Sequence, residues 1–175
     1  ISFNFLTYLK SLLLLMKPRV MSLVIFTCAV GYLASNPNLN TLNAITSIVL
    51  VAIGAGASAC LNMWYDSDID ALMTRTCLRP IPTGKISKKN ALLYGIFLTV
   101  LSVVGLNYFS NTLSAVLLLS TILFYLFVYT IWLKRKTPQN IVIGGAAGAL
   151  PPVIGWTIST NSISVEPIIL FLIIF

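Results

Sequence analysis

Apolar runs of spanning length recur along this 175-residue chain, and the connections between them are alternately basic and uncharged. A helix needs roughly 20 residues to cross a bilayer core of about 30 Å, and runs of about 17–18 still serve. In lipid every backbone polar group must be satisfied internally, so the runs are expected to be helices. They fall at residues 18–34, 42–65, 91–108, 113–133 and 141–158, with a sixth beginning near Pro167. The sequence therefore predicts an all-α, multi-span integral membrane bundle. Mean hydropathy is +0.95 and only 9% of residues are charged. No extended polar domain is present, and no nucleic-acid partner is expected.

Charge sets the orientation. The eleven Lys and Arg residues lie at positions 10, 17 and 19, at 75, 79, 85, 88 and 89, and at 134–136. The connections 35–41, 109–112 and 159–166 contain none. The positive-inside rule then puts the N-terminus and both basic loops on the cytoplasmic or matrix side. Lys17 and Arg19 read as membrane anchors. Tyr125, Tyr129 and Trp132 suit an interfacial aromatic belt.

Local signals fill in the frame. Residues 2–16 suit an amphipathic helix lying at the interface. They do not suit a signal peptide, because the apolar stretch 12–16 is short and Lys17-Pro18-Arg19 follows it. Pro18 fits a helix start, and Asn36-Pro37-Asn38 a turn. Gly54, Gly56, Ala57, Ser58 and Ala59 allow close helix packing, as do Gly144, Gly145 and Gly148. Ser110-Asn111 makes a short turn between two spans. Cys28, Cys60 and Cys77 form no CxxC pair and read as small apolar side chains. Histidine is absent, which removes the commonest haem and zinc ligand and the usual general base. The chain begins at Ile1 and stops inside an apolar run too short to span, so residues 1–175 read as the N-terminal part of one longer membrane domain.

Three of the four acidic residues, Asp66, Asp68 and Asp70, sit within five positions at the end of the second run. Carboxylates at a membrane boundary are costly and repel one another, so something cationic must gather them. If the helix continues through them, Asn62, Asp66 and Asp70 stand at i, i+4 and i+8. Each four-residue step adds about 40° of rotation and about 6 Å of rise. The three form one stripe of hard oxygen donors, and Asp68 faces nearly the other way as a solvated charge. Mg²⁺ prefers such ligands and often keeps substrate phosphates in its shell. Arg75 and Arg79, also i and i+4, could clamp the outer oxygens of a diphosphate, with Lys85 and Lys134 as further candidates. Topology demands these cations in any case, so each serves equally as an anchor. The arrangement points to departure of diphosphate from an organic group housed between the apolar spans.

Residues 62–82, NMWYDSDIDALMTRTCLRPIP, resemble the first aspartate-rich signature of the UbiA-type intramembrane prenyltransferases. The likeness extends to KPRVMSLVIF at 17–26 and to YTIWLKRKTPQNIVIGGAAGALPPVIGW at 129–156. In these flanks it is nearest to the branch that farnesylates haem. The resemblance implies about nine transmembrane helices around a cavity open to the cytoplasmic side, of which about five and a half would lie here. It implies farnesyl diphosphate held through Mg²⁺ by two aspartate-rich motifs, with Asn62, Asp66 and Asp70 as metal ligands in the first and Asp66 and Asp70 as its catalytic carboxylates. Arg75, Arg79, Lys134 and Arg135 match basic positions near the diphosphate.

The acceptor it implies is a vinyl group of haem B, which with added water becomes the hydroxyethylfarnesyl group of haem O. Haem B is then a substrate, not a cofactor, and the missing histidine is no objection. A bacterial or mitochondrial inner membrane, and association with haem A synthase or terminal-oxidase assembly, follow from the same likeness. The family's second motif would lie beyond Phe175, and Glu166 falls on the opposite membrane face. The 175 residues alone are therefore expected to be inactive.

Two other readings compete. One keeps the family but changes the acceptor to a quinone-ring precursor or other aromatic. The other is a cation transporter with an Asp66/Asp70 ion site; transporters, however, bind near the midplane at broken helices, and these acids sit at a span's end beside arginines. A CDP-alcohol phosphotransferase is excluded, because Ala71 follows Asp70 and the first arginine comes at 75.

Overall fold

The computed structural model describes residues 5–37 and 40–175. Residues 2–4 of the expected interfacial helix and Asn38 of the expected turn lie outside the described residues. Helix α1 (Phe5–Leu15) is followed by α2 (Pro18–Ala34) after a bend of 49°. Lys17 makes the bend, with a left-handed φ of 51°, and Pro18 opens α2. Helix α1 leaves Leu6, Leu9 and Leu13 exposed and buries Leu15 among Cys60, Met63, Ile86 and Ala91. It thus covers the end of the bundle where the basic loops lie, as an interfacial helix should.

The long spans come next. Helix α3 covers Thr41–Tyr65, with Asn40 capping its first turn by accepting from the Leu42 N–H at 3.0 Å. Helix α5 (Lys88–Phe109) is capped in the same way by Ser87. Helix α6 (Thr112–Leu123) runs on as a π-helical segment, Phe124–Leu133. The expected fifth span is present as one apolar stretch, Asn140–Thr160, with a local break at Leu150, where α7 (Asn140–Ala149) meets α8 (Pro151–Thr160). Pro151 and Pro152 cause the break, since proline lacks the N–H that the preceding turn would use and crowds its carbonyl. Short α4 (Ser67–Leu72) follows α3, and α9 (Val165–Ile174) ends the chain. Among the described residues four helical stretches are long and apolar enough to cross a membrane, or five where the bent α1–α2 pair is counted as one span.

Helix α3 is the most buried of the spans. Its small residues divide into two uses. Gly54 and Gly56 admit the side chains of Leu118 and Met16. Ala55, Ser58 and Ala59 instead leave open space beside them. Away from the aspartates, Asn111 ties the bundle: its amide donates to the Thr157 carbonyl at 2.7 Å, and its oxygen caps α6 at Ser114 N–H, 2.9 Å.

Among the described glycines, the closest approach of one helix to another joins α2 to α8. A Cβ added to Gly155 would lie 2.0 Å from the Cys28 carbonyl oxygen, and one on Gly31 would lie 2.0 Å from that of Pro152. The two backbones are in direct contact, as small residues permit in lipid.

Candidate functional site: an aspartate stripe linked through Lys17 to an apolar cavity

Helix α3 does not run unbroken through the aspartates. It ends at Tyr65, and Asp66 turns the chain into α4 with φ −82° and ψ 6°. The helical register survives, because the Asp66 N–H donates to the Asn62 carbonyl at 2.9 Å and the Asp70 N–H to that of Asp66 at 2.8 Å. Asn62, Asp66 and Asp70 therefore remain on one side, at 2%, 0% and 3% exposure. Asp68 points away, its side chain 56% exposed.

Each buried carboxylate has its own cation. Arg79 Nη1 meets Asp70 Oδ2 at 2.6 Å, and Lys134 Nζ meets Asp66 Oδ2. The Asn62 amide joins the two helices: Nδ2 donates to Asp66 Oδ2 at 2.8 Å and to Thr130 Oγ1 at 3.1 Å. Lys17 Nζ donates to Asn62 Oδ1 at 3.4 Å. Burial, and then the charges of Arg79 and Lys134, lower the Lys17 ammonium to about 8. Three cations thus surround two carboxylates, and the surplus is positive.

The other predicted residues are placed differently. Residues 73–87 form turns, so Arg75 and Arg79 do not stand side by side as on a helix. Thr76 folds the segment back by donating to the Asp70 carbonyl at 3.0 Å, which brings Arg79 home. Arg75 and Lys85 are exposed, and neither makes an ion pair among the described residues. Arg135 pairs with Asp68 at 3.0 and 3.1 Å and covers the Tyr65 ring at 4.8 Å, outside the stripe. Slight burial pushes the Asp68 carboxyl up, but the Ile69 N–H and Arg135 outweigh it and hold the group below its usual range.

Two residues read from sequence as membrane fittings belong to the site. Lys17 is one. Its left-handed backbone turns the side chain inward to Asn62, whereas a pure anchor would extend outward. Tyr125 is the other: it stacks on Tyr129 and lines a cavity, while Trp132 stays 56% exposed, as a belt residue would. Thr130 had no signal of its own in the sequence.

The cavity begins at Lys17 and Tyr125 and runs inward past Val24, Val51, Ile122 and Ile154. Its volume is about 140 Å³, against the roughly 10–15 Å³ a single water needs on the same measure. Gly148 lines it and has nothing within 4 Å of an added Cβ, whereas Gly144 is packed under Tyr129. The packing role expected of all three glycines thus does not hold for Gly148.

The donor set fits a divalent cation in one respect that the protein itself does not explain. Asp66 Oδ1 is fully buried and has no hydrogen-bond partner. An orphaned carboxylate oxygen is costly unless something electropositive meets it. The neighbouring donors, an amide oxygen and a second carboxylate, are hard oxygens of the kind Mg²⁺ takes. Among the described residues no three His, Cys, Asp or Glu side chains converge, so two carboxylates are all that these residues bring to such an ion.

The chain resembles known proteins over nearly its whole length. A protoheme IX farnesyltransferase of Pelagibacter ubique is 70% identical over 173 residues, which cover 99% of this chain and 56% of that protein. Protoheme IX farnesyltransferase 2 of Mesorhizobium japonicum is 62% identical over 161 residues, 92% of this chain and 51% of that one. The chain spans about half the length of the curated relatives it matches. Among solved structures, a UbiA homolog from Archaeoglobus fulgidus bound to GPP and Mg²⁺ superposes with a TM-score of 0.76 at 23% identity, over 94% of this chain and 59% of that one. The sequence profile of the UbiA prenyltransferase family matches residues 23–175. The chain belongs to the UbiA prenyltransferase family.

Proposed function

We propose that this protein transfers the farnesyl group of farnesyl diphosphate to a vinyl group of haem B, forming haem O. One observation carries the reading. The buried Asn62–Asp66–Asp70 stripe, with an unpartnered carboxylate oxygen and three cations around it, is joined through Lys17 to an apolar cavity. The names of its relatives supply the acceptor.

Each part has a task. Asn62, Asp66 and Asp70 would hold Mg²⁺. When bound, the ion neutralises charge that develops on the departing diphosphate. Lys17, Arg79 and Lys134 offer charge-assisted hydrogen bonds to the remaining phosphate oxygens. The cavity takes the isoprenoid chain and keeps water from its allylic end. The C1–oxygen bond breaks, and diphosphate keeps the electron pair. The haem vinyl group bonds to C1, and water adds to the resulting cation with loss of a proton.

A bare cation-transport site is disfavoured because the acids stand at the end of α3, not at a break in mid-membrane, and because the surplus positive charge of Lys17, Arg79 and Lys134 calls for an anion to accompany the metal. We place the N-terminus and the basic loops on the cytoplasmic or matrix side of a bacterial or mitochondrial inner membrane. Association with haem A synthase or terminal-oxidase assembly is part of the same proposal.

Incubating the full-length protein with labelled farnesyl diphosphate, Mg²⁺ and haem B tests the assignment. The expected product has the mass of haem O. Label carried only to a quinone-ring acceptor would give the protein a different substrate. The 175 residues purified alone should form no product, because two carboxylates and an amide leave the metal site incomplete; turnover by them would refute this.

Asp68→Ala should be mild. Its pair with Arg135 is exposed and such pairs contribute about 0–1 kcal/mol. Turnover within about threefold of the parent is expected by the same assay, and a loss as large as that of a buried aspartate would place Asp68 in the stripe.

A further inference from the structure

We infer that Thr130 is a positioning residue that fixes which way the Asn62 amide faces, and so presents the Asn62 carbonyl oxygen to the metal. The inference rests on the metal-diphosphate reading of the stripe.

A threonine hydroxyl has one proton to give. Thr130 gives it to the Tyr125 carbonyl oxygen at 2.9 Å. The hydroxyl can then only accept from Asn62, at 3.1 Å. The group that Asn62 turns towards Thr130 must therefore be its NH₂. Both protons of that NH₂ are engaged, one by Thr130 and one by Asp66 Oδ2. The amide oxygen is left facing Lys17 on the open side of the site. An amide flipped the other way would set its oxygen against a carboxylate and against a hydroxyl with no proton to spare.

Asp66 alone does not secure this. It already receives Lys134 and Asn62 on one oxygen and leaves the other unpartnered. When its oxygens turn to a bound cation, its hold on Asn62 weakens, and Thr130 is the acceptor that remains. Thr130 is fully buried, so no water takes its place.

The π winding of Phe124–Leu133 makes this arrangement available. In an α-helix residues 125 and 130 would be about 140° apart. Here the backbone bonds five residues back, as the Lys134 N–H does to the Tyr129 carbonyl at 3.0 Å. Tyr125 in the cavity wall, Thr130 on Asn62 and Lys134 on Asp66 then share one side of the segment. π segments are commonly found where a helix serves a functional site.

Mn²⁺ binding to the full-length protein, followed by electron paramagnetic resonance with a non-hydrolysable farnesyl thiodiphosphate present, tests the idea without turnover. Thr130→Val, nearly the same shape, should weaken Mn²⁺ by roughly tenfold, in the range for removing a residue that orients a metal ligand. The KM for farnesyl diphosphate at saturating Mg²⁺ should change less than the metal affinity. Thr130→Ser, which keeps the hydroxyl, should stay within about threefold of the parent. Asp66→Asn is the reference. If it weakens Mn²⁺ while Thr130→Val does not, the positioning role is wrong and the metal stripe stands. If neither variant weakens Mn²⁺, both are wrong. A serine variant as defective as the valine one also overturns the inference.

Discussion

Replacing Asp66 with alanine in the full-length protein should lower farnesyl transfer by roughly 10²–10³-fold, as loss of a group that stabilises transition-state charge does. Insertion into the membrane should persist. Asp66 is wholly buried, and both its contacts are polar: the Lys134 ammonium and the Asn62 amide. Its loss leaves Lys134 with 28% of its side chain already in reach of solvent, so the freed charge can hydrate.

The predicted signature is specific. Removing one carboxylate makes the site more positive, so affinity for the diphosphate should hold while kcat falls. Asp66→Asn keeps the volume and should show the same split. The check is a steady-state series in farnesyl diphosphate and Mg²⁺, with haem O measured by mass. A variant that keeps near-normal kcat would contradict the assignment of Asp66 to the metal.

The second large effect is on folding. Gly155→Leu should abolish recovery of folded protein, and Gly31→Leu should do the same. An added Cβ at either glycine falls 2.0 Å from a backbone carbonyl oxygen of the other helix, where ordinary contact needs 3.4–4 Å. The α2–α8 pair would have to open by more than 1 Å, and backbone cannot yield as a flexible side chain does. Overpacked cores lose about 1–3 kcal/mol, and backbone clashes lie at or beyond that upper end.

Activity would fall with the fold, because Val20 and Val24 of α2 and Pro151 and Ile154 of α8 wall the cavity. Size-exclusion recovery of the purified protein after mild heating measures the effect. Gly148→Ala is the contrast: nothing lies within 4 Å of its added Cβ, so the fold should survive. Equal recovery of Gly155→Leu and Gly148→Ala would mean that α2 and α8 are not in backbone contact.

The spans and the aspartate stripe were legible because each rests on local periodicity. Hydropathy marks a run whatever it packs against, and four-residue spacing puts Asn62, Asp66 and Asp70 on one side even across the turn at Asp66. The break at Leu150 had a local cause too, in Pro151-Pro152, although the apolar run conceals it.

Other features depend on contacts far along the chain. Lys17 looked like an anchor because topology requires cations there for its own reasons; only its left-handed turn toward Asn62, 45 residues away, makes it part of the site. Thr130 is a neutral residue in an apolar run, and its importance comes from π winding that no spacing rule for α-helices anticipates. Arg75 fell the other way. Spacing made it the twin of Arg79, but the chain leaves helical form at Met73, and only Arg79 returns to Asp70. Gly31 and Gly155 carry no mark of being partners until α2 and α8 are seen together.

A structure of the full-length protein with Mg²⁺ and farnesyl thiodiphosphate would test the central claim most directly. The claim predicts the metal on Asn62, Asp66 and Asp70, the diphosphate oxygens against Lys17, Arg79 and Lys134, and the isoprenoid chain in the cavity past Tyr125. A diphosphate bound elsewhere, with Asp66 Oδ1 still unpartnered, would contradict it.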